Sequence, residues 1–289
     1  GEAAPADDRE ADRPAVRPDD RDKDAEKAIA DGATRVAFLR LGERASGKDM
    51  VGPYLNGNAI RESAEILRDL PENERPDIVV LHIDSGGGAV AELDDIIYAI
   101  QEDLKRDFRV VAWIKFAISG AAFTAMNAEE IVFESSGQMG GNVAYSSGPG
   151  GTQAMQGAGL EMMLEYGRRV ANNGRIDPKV MWAMQKNNYT LSADIDEDGR
   201  VTWYEDDRGE YIVSPHDKVL TLNALDAEKF GVSKGIADNK NELMQVLGVT
   251  EWVEVGQEAD EYQTEFRDAV WRVDAQGQRL MQSVQMAFQ

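Results

Sequence analysis

The fold class is decided by residues 79–100, which read VVLHIDSGGGAVAELDDIIYAI. The stretch begins with an almost continuous apolar run, which is typical of a β-strand covered on both faces. Three glycines then allow a tight turn, and apolar residues follow at helical spacing: Val90, Leu93, Ile96, Ile97 and Ile100. A buried strand, a glycine turn and an amphipathic helix in this order predict one unit of a largely parallel α/β core.

The same alternation continues on both sides of this stretch. Strands are predicted at residues 35–41, 109–116 and 129–134, and helices at 58–69, 160–172 and 178–187. A Gly- and Ser-rich stretch, residues 137–159, is predicted to be a mobile loop. The sequence therefore predicts a core at residues 34–249, with a three-stranded β-meander inserted at 190–215.

Both ends of the chain differ from this core. Residues 1–33 mix Pro, Ala and charges of both signs, and they predict a disordered acidic tail. Residues 250–289 predict an acidic amphipathic helix with a heptad-like apolar stripe: Phe266, Val270, Val273, Leu280 and Val284, with Gly277 as an interruption. The stripe fits either packing on the chain's own core or a contact between subunits.

The composition excludes several classes of function. The chain has 31 Lys and Arg against 53 Asp and Glu, a net charge of −22, which disfavours nucleic acid as a partner. It has no Cys and two His, so neither a thiolate site nor a multi-histidine metal centre is expected. No cofactor is predicted, apart from the calcium considered below.

Two short motifs could carry chemistry. Residues 84–88 read DSGGG after a buried strand, and such a turn can offer free N–H groups to an oxyanion or simply reverse the chain. Ser119 and Gly120 open a predicted helix directly after another strand. There Ser119 is either an ordinary N-cap or a nucleophile beside N–H groups that could hold a developing oxyanion.

Taken together, residues 79–100, 110–141 and 220–238 resemble the Clp protease/crotonase superfamily. The resemblance is greatest to the NfeD-type and signal-peptide-peptidase-A-like membrane-associated serine proteases. It implies a fold of stacked ββα units, here with the β-meander insertion and the C-terminal helix. It also implies Ser119 as nucleophile, with an oxyanion hole formed by the N–H groups of Gly87 or Gly88 and of Gly120.

The resemblance also implies a general base that this sequence does not provide at the matching place. NfeD-type enzymes have a lysine some forty residues beyond the serine, where this chain reads QGAGL at residues 156–160. Neither Lys nor His occurs between Phe116 and Pro178. A serine hydroxyl is a weak nucleophile without an adjacent base. The substitute nearest in sequence is Lys115, whereas His82 on the buried strand is interpreted as a core histidine.

A third motif is separate from the other two. Asp194, Asp196, Asp198 and Glu205, with Gly199, follow the calcium-loop pattern of an EF-hand. The flanking residues predict strands, whereas an EF-hand needs helices. The motif therefore predicts either a bound calcium ion or an acidic hairpin turn.

Three functions follow as hypotheses. The first is a serine endopeptidase that cleaves peptide or protein substrates through a Ser119 acyl-enzyme. The alternative is a catalytically inactive member that acts as an oligomeric scaffold or peptide-binding module, and acyl-thioester chemistry of the crotonase type is the third. The resemblance further implies a homo-oligomer and an extracytoplasmic or membrane-associated location.

Overall fold

The computed structural model describes residues 28–29, 32–148 and 151–287. Most of the predicted N-terminal tail therefore lies outside the described residues. The strands are β1 Thr34–Leu41, β2 Met50–Val51, β3 Ile78–Ser85, β4 Gly87–Gly88, β5 Arg109–Ile118, β6 Glu130–Gly140, β7 Tyr145–Gly148, β8 Gly151–Ala154, β9 Leu191–Ile195, β10 Val201–Tyr204, β11 Tyr211–Ser214, β12 Thr221–Asn223 and β13 Trp252–Glu254. The α-helices are α1 Gly57–Asp69, α2 Leu93–Tyr98, α3 Gly120–Ala125, α4 Gly157–Asn173, α5 Pro178–Gln185, α6 Ala224–Lys229, α7 Lys240–Val246 and α8 Gln257–Ala287.

The centre of the molecule is a six-stranded sheet in the order β12-β6-β5-β3-β1-β13. Strands β1, β3, β5, β6 and β13 run parallel to their neighbours, and β12 pairs antiparallel with β6 at one edge. Residues 78–81 of β3 are buried throughout, which accounts for the unbroken apolar run in the sequence. The α/β fold with a parallel core that the sequence predicts is confirmed.

Helices cover both faces of this sheet. Helix α1 begins at the N-cap Asn56, whose side chain accepts a hydrogen bond from the N–H of Ala59, and it buries Ile60, Ala64 and Leu67 on one face. On the other face, α7 packs its buried Leu243 against a smaller apolar cluster. Helix α2 continues into a π-helical turn, Ala99–Leu104, before β5 begins.

Two predicted segments have clear outcomes. A three-stranded antiparallel sheet lies where the meander was predicted, but the meander topology is wrong, because the order is β10-β9-β11 and β9 pairs with both later strands. Turn residues predict where the strands begin and end, but not beside which strand the third one pairs. The prediction of a single loop at 137–159 is wrong, because this stretch contains the end of β6, the β7–β8 hairpin and the start of α4. Its Gly and Ser residues lack the apolar alternation by which a strand is recognised in a sequence.

Helix α8 has two unlike halves. Its first half packs on α1 and β1 and buries Ala259, Gln263 and Arg267. The distal half of the predicted stripe is exposed, with Val273, Leu280 and Val284 at 68%, 62% and 53%. Phe266 and Val270 of the stripe are half-buried, whereas the fully buried residues of the helix lie outside the stripe. Within the described ranges, no helix is long and apolar enough to cross a bilayer.

Candidate functional site

The glycine turn after β3 is fixed by Asp49. The Ser85 hydroxyl donates to the backbone carbonyl of Asp49, and the N–H of Gly86 donates to its carboxylate at 2.8 Å. Gly87 follows with φ = 88°, in the left-handed region that favours glycine. Gly87 and Gly88 then form the short strand β4, which pairs with β2. These hydrogen bonds and the pairing with β2 therefore fix the backbone of the turn.

Ser119 lies in a strained backbone conformation between β5 and α3. Its φ and ψ are 56° and −126°, and among the described residues only Arg175 and Asn188 share a positive φ without being glycine. The N–H of Ser119 donates to the carbonyl of Gly140 at 2.9 Å, and its hydroxyl does not cap α3. The ordinary N-cap interpretation is therefore wrong. Such strain recurs at functional sites, where the surroundings hold a side chain in a fixed direction.

The two motifs converge, although they lie more than thirty residues apart in the sequence. A Cβ atom added at Gly87 would lie 2.6 Å from Cβ of Ser119 and 2.8 Å from the backbone nitrogen of Gly120. One added at Gly120 would lie 3.5 Å from the backbone nitrogen of Gly88. Real Cβ atoms do not come as close as 2.6 Å to another carbon, so position 87 has to be glycine. The backbone nitrogens of Gly88 and Gly120 thus lie beside the serine.

Ser119 lines a pocket of about 260 Å³. Apolar side chains supply most of its wall, and the polar side chains on it are those of Ser119, Asn142 and Tyr145. The lining residues are Gly88, Ala89, Val90, Leu93, Ser119, Gly120, Phe123, Asn142, Val143, Ala144, Tyr145, Met155 and Met163. No Lys, Arg, His, Asp or Glu is among them, so the described residues give this pocket no conventional general base.

The wall behind the pocket is fixed by a half-buried tyrosine. The ring of Tyr166 packs edge-on against Phe123 with 5.9 Å between ring centroids, and its hydroxyl donates to Asp94 at 2.7 Å. Burial, and then the hydrogen bond to Asp94, raise the pKa of Tyr166 well above its usual range. Its hydroxyl therefore stays protonated and acts as a structural donor.

Lys115 has a different partner from the serine. Its ammonium donates to the carboxylate of Asp84 at 3.0 Å, and Arg44 lies 3.8 Å from the other oxygen of that carboxylate. Lys115 is not among the described residues that line the Ser119 pocket, and its ammonium is engaged by Asp84. Two lysines at α5 are engaged elsewhere: Lys179 pairs with Asp177, and Lys186, which directly follows the helix, lies over the ring of Tyr189.

His82 has the environment of a satisfied histidine. Its Nε2 is 2.8 Å from the carboxylate of Glu134, and its ring stacks on Trp113 with 4.4 Å between centroids. Trp113 belongs to the apolar cluster under α7, and neither it nor His82 lines the Ser119 pocket. The interpretation of His82 as a core residue fits these contacts.

The acidic motif forms a β-hairpin between β9 and β10. The carboxylate of Asp196 accepts hydrogen bonds from the N–H groups of Asp198 and Arg200, and that of Asp194 accepts from the N–H of Glu210 and the hydroxyl of Tyr204. Nowhere in the described part of the chain are three His, Cys, Asp or Glu side chains gathered to hold a metal ion. The calcium prediction for Asp194, Asp196, Asp198 and Glu205 thus gains no geometric support. Oxygens of Asp194 and Asp196 accept local hydrogen bonds, and the exposed Asp198 lies 3.5 Å from Arg200.

Two features of the site were not predicted from the sequence. The β7–β8 hairpin places Tyr145 at the pocket, and Asn142 lies in the short connection between β6 and that hairpin. Asn142 is 2% exposed, and its Oδ1 has no hydrogen-bond partner. A single asparagine in a Gly-rich stretch gives no sequence signal of this kind.

A comparison with protein families gives a match over most of the core. The model described as the NfeD1b N-terminal domain matches residues 66–255. The membrane protein NfeD1b of Bacillus subtilis (strain 168) is 31% identical over 173 residues, which are 60% of this chain and 34% of that protein. The alignment therefore spans about a third of that relative's length.

Solved structures share the fold. One is a mutant of the 1510-N membrane-bound stomatin-specific protease, with a TM-score of 0.50, 13% identity and coverage of 74% of this chain and 84% of that chain. Another is a mutant of the same protease in complex with a substrate peptide, with a TM-score of 0.53, 14% identity and coverage of 77% and 90%. At this identity the likeness establishes the fold, and it agrees with the stacked α/β architecture that the sequence resemblance implies.

Proposed function

Because the chain belongs to the NfeD1b N-terminal-domain family, we propose that it is a serine peptidase-like protein that binds peptides at Ser119. One observation carries this proposal: the strained Ser119 lies against the backbone of Gly87, beside the backbone nitrogens of Gly88 and Gly120, at the mouth of an apolar pocket. A strained serine between a strand and a helix, with backbone N–H groups beside it, is the arrangement that acyl transfer requires.

The proposed reaction is cleavage through an acyl-enzyme. Oγ of Ser119 attacks the peptide carbonyl carbon, and the carbonyl oxygen takes the negative charge beside the N–H groups of Gly120 and Gly88. The N–H of Gly87, the other donor that the resemblance implies, already donates to the Ser85 hydroxyl at 3.1 Å. The amine leaves with a proton as the C–N bond breaks, and water then hydrolyses the ester. The Ser119 proton needs an acceptor, and none of the residues that line the pocket is a Lys or His. In this proposal the base is supplied by a second copy of the chain.

The lining of the pocket fits an apolar side chain of an extended peptide. Leu93, Phe123, Met155 and Met163 surround its space, and Met side chains adapt to irregular ligands. A structural neighbour, a mutant of the 1510-N membrane-bound stomatin-specific protease, is in complex with a substrate peptide. A peptide or protein substrate is therefore the proposed partner of this chain as well.

The same lining favours a second candidate function. The described lining of the pocket contains no general base, and Lys115 is paired to Asp84, so the site formed by these residues can bind a peptide without cleaving it. The candidate is an inactive member that serves as a peptide-binding module or scaffold.

Oligomerisation and membrane association are further parts of the proposal. The exposed apolar side chains on the distal half of α8 offer a surface for self-association: Trp271, Val273, Leu280, Met281, Val284 and Met286. The similar Bacillus subtilis protein is named a membrane protein, and we place the action of this chain close to a membrane on the extracytoplasmic side.

Labelling with a fluorophosphonate separates the two candidates. The probe forms a covalent adduct only with an activated serine, so a peptidase gives a Ser119 adduct by mass spectrometry that Ser119→Ala lacks. The assembly state is measured by light scattering in parallel, because a base from a second copy makes labelling rise with the assembled fraction. A folded assembly that binds peptide but is never labelled rejects the peptidase in favour of the binding module.

A further inference from the structure

A buried polar atom without a partner lies at the Ser119 pocket. Asn142 is 2% exposed and lines the pocket, and its Oδ1 accepts no hydrogen bond. A buried acceptor without a donor is unfavourable, and most buried polar groups in native proteins are paired. An exception at a binding pocket therefore calls for a ligand that pairs with it.

The backbone holds Asn142 firmly in place. Its N–H donates to the carbonyl of Met184 at 2.6 Å, and the N–H of Gly141 donates to Leu220 at 2.9 Å. Two residues earlier, the carbonyl of Gly140 accepts the hydrogen bond from Ser119. The segment that carries Asn142 is thus fixed directly beside the segment that carries the serine.

The side-chain amide is also oriented. Its Nδ2 lies 3.1 Å from the sulfur of Met181, so its donor side is engaged by a weak acceptor and its oxygen is left unpaired. Other buried unpaired atoms occur on Arg68, Asp84, Gln185 and Tyr189, and none of these residues lines this pocket. Among the residues that the structure describes, Asn142 alone combines an unpaired acceptor with a place in the pocket of the serine.

We propose that Oδ1 of Asn142 accepts a main-chain N–H of the bound peptide and so fixes the peptide's register at Ser119. The inference rests on the proposed function and deepens it, because it assigns a positioning residue to the same site. An extended peptide whose side chain fills the apolar pocket carries such an N–H next to the carbonyl that Ser119 would attack. Pairing it with Asn142 would satisfy the buried oxygen and align that carbonyl with the backbone N–H groups of the glycines.

The test measures peptide binding rather than catalysis. The full chain with Ser119→Ala is titrated by calorimetry with the peptide Ac-Ala-Ala-Leu-Leu-Ala-Ala-NH2, and with peptides in which one amide N–H at a time is replaced by an ester oxygen. One ester position is expected to weaken binding about tenfold, as the loss of a buried hydrogen bond does. If every ester peptide binds as well as the amide, or the amide peptide does not bind, the inference is overturned.

A second variant assigns that loss to Asn142. Adding Asn142→Leu should weaken binding of the amide peptide by about tenfold and abolish the further effect of the sensitive ester. The matched control is Tyr189→Phe, which removes another buried unpaired group outside the pocket and should leave binding unchanged. An ester effect that persists in full with Asn142→Leu overturns the inference. Labelling of the wild-type serine is measured separately, so the proposed peptidase can fail while this binding role stands.

Discussion

The two ends of the parallel strands in the central sheet differ in their chemistry. At the carboxyl ends, Ser119 lies in a pocket whose described lining contains no ionised side chain of Lys, Arg, His, Asp or Glu. At the amino ends of β5 and β6, a cleft of about 340 Å³ is lined by six charged residues: Lys105, Arg109, Glu129, Glu130, Arg175 and Lys234. Charge alone would favour the second cleft as a binding site.

The contacts made by the lining residues favour the Ser119 pocket instead. Glu130 pairs with Arg109 and Lys234, and Glu129 lies 3.5 Å from Lys105 and 3.3 Å from Arg175. The charges of the second cleft thus satisfy one another. The first pocket instead contains a strained serine and an unpaired amide oxygen. Strain and unsatisfied polar groups indicate a functional site better than charge density does.

The largest expected effect comes from Gly87→Ala. The added methyl group would lie 2.6 Å from Cβ of Ser119, at a φ of 88° that alanine tolerates poorly. We expect a loss of about 3 kcal/mol in the free energy of unfolding, together with loss of Ser119 labelling and of peptide binding.

The matched control for this change is Gly86→Ala. A Cβ atom at Gly86 finds its nearest neighbour at 3.4 Å, the Asp49 carboxylate, and the backbone there needs no left-handed conformation. Urea denaturation and labelling measure both variants. Equal effects of the two changes would contradict the close approach between the glycine turn and the serine.

The opposite end of the sheet is tested by Glu130→Gln. The carboxylate accepts a hydrogen bond from Arg109 at 2.5 Å, so its loss should cost about 1.5–3 kcal/mol in the free energy of unfolding. Labelling of Ser119 should not change, because the variant lies at the other end of the strands. Glu129→Gln, at a more exposed pair, should cost less than 1 kcal/mol. A loss of labelling with Glu130→Gln would show that the two ends are coupled.

Glu130→Gln also tests how the stability of the fold depends on pH. Burial opposes the shift, but hydrogen bonds from Arg109 and then from Lys234 lower the pKa of Glu130 below its ordinary 4.5. A carboxylate with a lowered pKa stabilises the fold above its unfolded pKa, and this contribution is lost as the pH falls through the folded pKa. The difference in stability between wild type and Glu130→Gln should therefore shrink once the pH drops below about 4.5. A difference that stays constant down to the acid unfolding transition would contradict this assignment.

Sequence patterns predict the strands and helices of the core better than the contacts that form the candidate site. The strand and helix of residues 79–100 follow from apolar periodicity, which burial imposes directly. The approach of Gly87 to Ser119 follows only from the resemblance, because local patterns do not encode a contact between distant segments. The β7–β8 hairpin, Asn142 and the pairing of Lys115 with Asp84 depend on tertiary packing, and no spacing in the sequence reveals them.

A smaller effect tests the strain at Ser119 itself. Glycine adopts a φ of 56° freely, whereas alanine keeps the strain that the serine bears. Ser119→Gly should therefore be more stable than Ser119→Ala by about 0.5–1 kcal/mol, after allowance for the greater flexibility of glycine in the unfolded chain. Thermal unfolding of the two inactive variants measures this difference. If alanine is the more stable of the two, the backbone at 119 is not strained.

An effect of comparable size concerns the acidic hairpin between β9 and β10. Asp196→Ala removes two hydrogen bonds, to the N–H groups of Asp198 at 3.0 Å and Arg200 at 2.8 Å, and should cost about 1 kcal/mol in the free energy of unfolding. The carboxylate of Asp198 is exposed and lies 3.5 Å from Arg200, so Asp198→Ala should change the free energy of unfolding by a few tenths of a kcal/mol at most.

Calcium should not stabilise wild type more than Asp196→Ala, because the oxygens of Asp196 already accept hydrogen bonds from the backbone. A calcium-dependent rise in melting temperature that Asp196→Ala abolishes would instead identify a metal site, since a ligand that binds only the folded chain stabilises it.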